Sequence, residues 1–270
     1  MISALLCVRN ESHNMAECLR TLAFADEVVV IDDFSTDDTV QIAKEFGAKV
    51  FQRQMRGDWS SQRNFGIQQC ANDWIFVIDA DERVSLDLAS EIQEKVDGKL
   101  CCYQVQLQKR FHFNQSTHGI LRPDWVTRLC PKSKCHYEGL VHEKLVSSLT
   151  VNRMSKGGKL FHYTYDNWDA YFGKFNRYTE LMARQQYQQG KRANFWFDIV
   201  VRPWIAFFKM YILKRGFLDG KLGFILSVNH FFYTMTKYVR LYYLERQVKI
   251  KSFVTKSMLP SQIPFRVHAT

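Results

Sequence analysis

The stretch that decides the fold is "WIFVIDADERV", residues 74–84. Five apolar residues open it, and three acids follow within four positions: Asp79, Asp81 and Glu82. A short, continuous apolar run bounded by polar residues is typical of a strand that is buried on both faces. We therefore predict a buried strand that ends in a cluster of carboxylates, and this cluster is a candidate functional site.

The segments before this strand alternate between strand and helix patterns. The runs "ISALLCV", "EVVVID" and "KVFQR" predict strands, and "VQIAKEFGA" and "WSSQRNFGIQQC" predict helices. Alternation of this kind indicates parallel strands that are joined by crossover helices. The sequence therefore predicts an α/β fold with a mostly parallel sheet flanked by helices.

Polar side chains collect where three of the predicted strands end. They are Asn10 and Glu11 after the first strand, Asp32 and Asp33 after the second, and Asp79 and Asp81 after the fourth. In open α/β sheets, ligands bind beyond the carboxyl ends of the strands. Solvated turn residues would explain one such cluster easily and three poorly, so we expect a binding site at this edge.

The rest of the chain changes pattern near residue 166. Before it, "CCYQVQLQKRFHF", "WVTRLC" and "KLFHYTY" predict further strands, so the sheet is expected to be mixed. After it, aromatic residues recur at helical spacing. We therefore predict a catalytic domain over residues 1–165 and a helical module over residues 166–270.

The net charge of +10 is concentrated in the helical module. Residues 191–256 contain 13 basic and 3 acidic side chains, and the remainder is balanced, so the partner of this segment should be anionic. Its apolar runs are too short to span a bilayer. Aromatic residues mixed with Lys and Arg favour helices that lie in the lipid headgroup region. The alternative is that the aromatics pack inward and the charges form a solvated face.

The seven cysteines show no zinc-ligand spacing, and the first residues lack the pattern of a signal peptide. We therefore expect reduced thiols in a cytoplasmic protein.

The D-x-D of Asp79 and Asp81 is suited to a divalent cation such as Mg²⁺, which takes carboxylate and phosphate oxygens. A nucleic-acid-binding protein would leave these acids unexplained, and a nucleotidyltransferase would need a glycine-rich basic loop near the first strand. No P-loop is present.

Four motifs resemble family 2 glycosyltransferases with the Rossmann-like GT-A fold: "ISALLCVRNES", "EVVVIDDFSTDDT", "QRNFGI" and "WIFVIDADERV". Later segments, including "RPDWVTRLCPK", "YEGLVHEKL" and "GFLDGKLGF", are similar to the branch that adds a β-1,4-linked glucose to the first heptose of the bacterial lipopolysaccharide inner core. The resemblance implies inverting, metal-dependent hexosyl transfer from UDP-glucose. It also implies a cytoplasmic enzyme attached peripherally to the inner membrane. Another donor or acceptor, such as UDP-galactose or a capsule intermediate, is the alternative.

The resemblance also implies roles for individual residues. The residues that match nucleotide-sugar contacts are Asn10, Glu11, Asp32, Arg63 and Asp79. Asp81 matches the ligand of Mg²⁺ or Mn²⁺, and His142 and His162 are candidates to complete the metal shell, although a lone histidine is more often structural.

The catalytic base is expected in the second half of the domain. Glu143 in "VHEKL" is the first candidate for the base that deprotonates the acceptor hydroxyl, and Asp124 in "RPDW" is the second. Arg128 is a candidate to hold the diphosphate or acceptor phosphates. Glu82 is an additional acid, placed either behind the cation site or in a turn.

Overall fold

The computed structural model describes residues 1–98, 100–111, 118–139, 143–165 and 167–258. The chain divides into two compact units, the first formed by residues 1–117 with 121–166 and the second by residues 118–120 with 167–270. The roles expected of the two predicted segments, catalysis and membrane association, stay predictions.

A mixed, mostly parallel sheet forms the centre of the first unit. The nine strands of this sheet are β1 (Ile2–Val8), β2 (Glu27–Asp32), β3 (Lys49–Gln52), β4 (Trp74–Val77), β5 (Glu82–Val84), β6 (Cys102–Phe111), β7 (Asp124–Pro131), β10 (Val151–Arg153) and β11 (Lys159–Tyr165). Two further strands, β8 (Cys135–Glu138) and β9 (Lys144–Ser147), form a separate pair. The sheet order is β3-β2-β1-β4-β7-β6-β11-β5, with β10 paired to β6; β8 pairs with β9. The strands from β1 to β4 pair in parallel, whereas β7 is antiparallel to β4 and β6. This sheet confirms the predicted GT-A-like fold class.

Helix α3 brings the "QRN" segment to the carboxyl edge of the sheet. The helices of this unit are α1 (Ser12–Arg20), α2 (Thr39–Glu45), α3 (Trp59–Gln69) and α4 (Leu86–Val96). The Asp58 carboxylate caps α3 by accepting the Ser61 N–H at 2.9 Å. A Cβ atom on Gly66 would lie 2.5 Å from the Leu5 Cδ1 atom, and Leu5 is fully buried in β1. The absence of a side chain at Gly66 therefore lets α3 lie close against the sheet.

The Glu27 side chain connects the amino ends of the central strands through hydrogen bonds. Its buried carboxylate accepts hydrogen bonds from the Ser3 hydroxyl, from Lys49 Nζ at 2.7 Å and from the Ala71 N–H at 2.8 Å. Burial alone would raise the pKa of Glu27, but these hydrogen bonds outweigh it and hold the pKa below its usual value. The ionised carboxylate thus joins β1, β2, β3 and the turn before β4.

Cys102 and Cys130 form a disulfide between the neighbouring strands β6 and β7, with their Cα atoms 4.4 Å apart. The expectation that all thiols are reduced is therefore wrong for this pair. The pairing of β6 with β7, and not the spacing of the two residues along the chain, brings them together. Cys7, Cys18, Cys70, Cys101 and Cys135 are free thiols.

The second unit is helical. It contains α5 (Trp168–Gln188), a π-helical turn (Phe195–Val201), α6 (Arg202–Phe208), a second π-helical turn (Lys209–Leu213) and α7 (Gly220–Met258). Ala183 of α5 packs against Tyr238 and Leu241 of α7 in a small core of its own. Across the described residues, none of the helices combines the length and the apolar character needed to cross a membrane.

Candidate active site

The Asp79 carboxylate, directly beyond β4, lies between two arginines. Arg63 Nη2 of α3 donates to Oδ1 at 3.0 Å, and Arg128 Nη2 of β7 donates to Oδ2 at 2.9 Å. Burial would raise the pKa of Asp79, but the Arg128 and Arg63 guanidiniums outweigh it and hold this pKa well below its usual range. Asp79 is therefore ionised, and its carboxylate holds both guanidinium groups at the carboxyl edge of the sheet.

Glu82 is fully buried behind this arrangement. Its carboxylate accepts the Asp79 N–H at 3.0 Å and a hydrogen bond from Arg128 Nη2. Burial and the nearby charge of Asp79 raise the pKa of Glu82 to about 7, against the opposing effect of Arg128. The side chain thus holds the loop of the D-x-D and one arginine together, a role that the sequence left open.

The second contact of Arg63 is Glu143. Arg63 Nη1 donates to Glu143 Oε1 at 2.7 Å, and both side chains are largely buried. The guanidinium carbon of Arg63 also lies 5.1 Å from the ring centroid of Tyr137, within the range of a cation–π contact. One arginine therefore bridges the first acid of the D-x-D and the first candidate for the catalytic base.

The neighbours of Arg63 in "QRN" fix this geometry, and the sequence interpretation gave neither of them a role. Asn64 pairs with the backbone of Tyr137 in both directions, since its Nδ2 donates to the carbonyl at 2.8 Å and its Oδ1 accepts the N–H at 2.7 Å. Gln62 Nε2 donates to the Arg53 carbonyl at 2.8 Å. The sequence holds a signal for these roles, five consecutive polar residues from Ser60 to Asn64 in one predicted helix, and the structure shows that Gln62 and Arg63 among them are buried.

Asp81, the second acid of the D-x-D, pairs with His162 of β11. The distance from Asp81 Oδ2 to His162 Nε2 is 3.0 Å. Burial lowers the pKa of His162, but the hydrogen bond and charge of Asp81 outweigh it and raise the pKa overall. His162 Nδ1 is buried and has no hydrogen-bond partner among the described residues. His142, the other predicted histidine, lies outside the described residues.

Asn10, Glu11 and Asp32 hold the loops at the ends of β1 and β2. Asn10 has a left-handed backbone with φ of 54°, and its Oδ1 accepts the Thr36 N–H at 2.8 Å. The Glu11 N–H donates to Thr39 Oγ1 at 2.8 Å. Asp32 is fully buried, and its carboxylate accepts the Ser35 N–H and Gln52 Nε2. Contact between these three residues and a nucleotide stays a prediction.

Asp124, the second candidate for the base, is not brought into this cluster. It begins β7, four residues before Arg128, so roughly 13 Å of extended strand separates the two residues. The Asp124 side chain is exposed, and its Oδ1 accepts the N–H of its neighbour Trp125 at 2.8 Å. Of the two acids, only Glu143 contacts the arginines of the site within the described part of the chain.

Three features of the site bear on metal binding. Asp81 and His162 are paired and largely buried, and His162 Nδ1 is a buried atom without a hydrogen-bond partner among the described residues. No group of three or more His, Cys, Asp or Glu residues within the described ranges is arranged to hold a metal ion. Mg²⁺ commonly takes only one or two protein carboxylates and completes its shell with substrate phosphates and water. The Asp81–His162 pair fits that kind of site.

Comparison with known proteins gives the class of this enzyme. The model of glycosyl transferase family 2 matches residues 3–134. An uncharacterized glycosyltransferase of Rickettsia felis is 30% identical over 271 residues, covering 95% of this chain and 94% of the relative. The chain therefore belongs to glycosyltransferase family 2, and it is an enzyme of that family.

Two further comparisons are with named proteins. The lipopolysaccharide core biosynthesis glycosyltransferase LpsC of Rhizobium meliloti is 26% identical over 250 residues, covering 89% of this chain and 92% of the relative. Among solved structures, S. aureus TarS 1–349 in complex with UDP is 15% identical, with a TM-score of 0.42. The alignment covers 92% of this chain and 91% of that chain.

Proposed function

We propose that this glycosyltransferase moves a hexose, glucose from UDP-glucose, onto a heptose of the lipopolysaccharide inner core with inversion at the anomeric carbon. The observation that carries the proposal is the convergence of Arg63 and Arg128 on Asp79, beside the Asp81–His162 pair. Membership of family 2 supports a nucleotide-sugar donor. The similarity to LpsC supports an acceptor in the lipopolysaccharide core.

The donor site is assigned to residues around the two arginines. Arg63 and Arg128 are the groups suited to the diphosphate, because a guanidinium pairs with phosphate oxygens through two parallel hydrogen bonds. Asn10, Glu11 and Asp32 are assigned to the nucleoside end, since Asn10 and Glu11 follow β1 and Asp32 ends β2 at the same edge of the sheet. Asp79 orients both arginines before the donor arrives.

Mg²⁺ or Mn²⁺ is the proposed cofactor, with Asp81 as its protein carboxylate and His162 as a second ligand. When bound, such a cation neutralises the negative charge that develops on the departing diphosphate. The paired geometry of Asp81 and His162 supports this assignment. His142, which the sequence analysis named as a candidate to complete the metal shell, is the third proposed ligand of the cation.

Glu143 is the proposed general base. In a single displacement, the acceptor oxygen forms a bond to the anomeric carbon while the bond from that carbon to the UDP oxygen breaks. The acceptor proton passes to the Glu143 carboxylate. The 2.7 Å contact with Arg63 supports Glu143 over Asp124, because the base must stand close to the group that holds the donor.

The proposed location is the cytoplasmic face of the inner membrane, with peripheral attachment through the helical unit. The acceptor supports it, since an inner core under assembly is anionic and anchored in that membrane. The concentration of positive charge in residues 191–256 supports it independently. Deletion of residues 191–270 should release the protein into the soluble fraction, and retention on membranes would count against this location.

The experiment that tests the proposed function is a calorimetric titration of the purified protein. UDP-glucose, UDP-galactose and GDP-mannose are each titrated with Mn²⁺ and with EDTA, and Asp81→Ala is run beside the wild type. We expect binding of UDP-glucose that requires metal and is lost in the variant, followed by transfer to truncated lipopolysaccharide. Preferential binding of UDP-galactose would instead favour a galactosyltransferase. Transfer only to capsule intermediates would favour a different acceptor.

A further inference from the structure

The helical run 195–213 of the second unit carries its apolar residues toward solvent. Ten large apolar side chains of the run are exposed. Six of them follow one another at spacings of one, three or four residues, and we call these six the aromatic face: Phe197, Val201, Trp204, Ile205, Phe208 and Ile212. Trp204 and Phe208 are each 54% exposed. A surface helix of a globular protein normally turns such a stripe toward the core. In the run 195–213, the stripe formed by the aromatic face points to solvent instead.

The inward side of the same run is mixed, since Asp198, Pro203 and Met210 are its buried residues. Asp198 is buried, and its carboxylate accepts the Asn194 N–H at 2.8 Å and pairs with Arg202 at 2.9 Å. Arg202 Nη1 in turn donates to the Tyr238 hydroxyl of α7 at 2.8 Å. These contacts fix the rotation of the run about its own axis, so the exposure of the aromatic face follows from a defined packing.

The aromatic face continues onto α7 through ring contacts. Trp204 packs edge-on against Phe231 with centroids 4.9 Å apart, and Phe207 meets Phe224 at 6.1 Å. Phe224 and Phe232 on α7 are themselves about half exposed, at 48% and 46%. A contiguous exposed apolar surface of this kind on a folded protein marks an interaction site.

Positive charge borders this surface. Lys209 lies within the run, and Lys214 follows it directly. Burial lowers the pKa of His230 to about 4, and the charges of Lys214, Lys237 and Lys209 add to that effect. Two of the three acids in residues 191–256 are engaged inside the unit, Asp198 with Arg202 and Asp219 with His118.

Among possible occupants, an anionic bilayer fits these observations best. A second copy of the chain would bring two strongly basic surfaces together. A nucleic acid would suit the aromatic rings, but Val201, Ile205 and Ile212 cannot stack on bases. Aliphatic and aromatic side chains on one side of a helix, with lysines at its border, match a helix that lies in the headgroup region of a membrane.

We propose that the aromatic face inserts into the headgroup region of an anionic bilayer, with the run 195–213 lying parallel to the membrane surface and Lys209 and Lys214 on lipid phosphates. The inference rests on the proposed peripheral attachment and names the residues that carry it. It requires no particular sugar donor or acceptor.

The test is co-sedimentation of the full-length protein with phosphatidylethanolamine vesicles, prepared with and without about 30% phosphatidylglycerol. The anionic headgroups of phosphatidylglycerol supply the surface potential. One variant combines Trp204→Ser with Phe208→Ser; its matched control combines Phe46→Ser with Leu86→Ser, which removes two exposed apolar side chains from the first unit. We expect the first variant to lower the partition coefficient at least about 10-fold, because binding strength scales with the buried apolar area. The control should stay within about 2-fold of wild type, because its apolar side chains lie outside the proposed contact.

A second variant, Lys209→Glu with Lys214→Glu, changes charge and leaves the aromatic face intact. It should lose at least about 10-fold in binding to the vesicles with phosphatidylglycerol, since each basic residue near an anionic surface contributes about 1 kcal/mol. UDP binding should be unchanged in every variant, which separates failure of this inference from failure of the proposed function. Equal vesicle binding by all variants, no vesicle binding by the wild type, or dimers that the Trp204 variant abolishes would each overturn it.

Discussion

Replacement of Glu143 by Gln should make UDP bind more tightly while the reaction slows. In the structure, Glu143 Oε1 holds Arg63 Nη1 at 2.7 Å, so a diphosphate that uses Arg63 must displace this carboxylate. The amide of a glutamine would still accept a hydrogen bond from the charged guanidinium, but the attraction between opposite charges would be lost, which is worth up to about 1 kcal/mol in an ion pair that is not fully buried. The substitution therefore weakens the competitor by up to about 1 kcal/mol, and UDP should bind up to about 5-fold more tightly.

Turnover should move in the opposite direction. The amide that Glu143→Gln introduces cannot take up the proton of the acceptor hydroxyl, and loss of a general base commonly costs about 10²–10⁴-fold in rate. We expect kcat to fall at least about 100-fold, the lower end of that range. Asp79 remains as a carboxylate partner of Arg63, so the pocket keeps its arginine in place.

Calorimetry with UDP and Mn²⁺, together with steady-state kinetics, measures both effects. Glu138→Gln is the matched control, because Glu138 is an exposed acid in the same part of the chain whose partner is His136. The control should change neither quantity. Weaker or unchanged UDP binding in the Glu143 variant would refute the competition for Arg63. An unchanged kcat would refute the assignment of Glu143 as the base.

Three further outcomes are expected. Asp81→Asn should bind UDP equally weakly with Mn²⁺ and with EDTA, which calorimetry would detect; tighter binding by this variant with Mn²⁺ than with EDTA would exclude Asp81 as a ligand. Glu27→Gln should lower the free energy of unfolding by about 2 kcal/mol near neutral pH. Because the folded pKa of Glu27 is depressed, its contribution is lost as pH falls, so urea titrations should give a smaller difference at about pH 4 than at about pH 7. Gly66→Ala should cost about 1–3 kcal/mol by clashing with Leu5, whereas Gly173→Ala, with open space around it in α5, should be neutral or stabilising.

The first half of the sheet could be predicted because its signals are local. The apolar runs that become β1, β2 and β4 are continuous, and two of the helices have a local boundary signal, Gly47 after α2 and the Asp58 cap of α3. The second half was harder to predict, because its strands β5 and β10 are only three residues long and depend on their partners. The Cys102–Cys130 disulfide has the same cause, since residues that are 28 positions apart meet only through strand pairing.

The three acids of "DADER" show why composition alone could not assign the site. They lie within four positions, yet Asp79 meets two arginines, Asp81 meets a histidine and Glu82 is enclosed. Each partner comes from a residue 16 to 81 positions away, so the environment of each acid is a tertiary property.

The partners of these acids also decide whether the edge of the sheet attracts or repels a diphosphate. Alone, the acids at this edge would repel a diphosphate, since like charges at close range disfavour binding. Arg63 and Arg128 reverse that outcome only if their carboxylate partners can be exchanged for phosphate oxygens. Glu143 is the partner of Arg63 that exchange can release, because Asp79 is held by a second arginine as well. The same displacement that admits the donor would then free the proposed base for the acceptor hydroxyl.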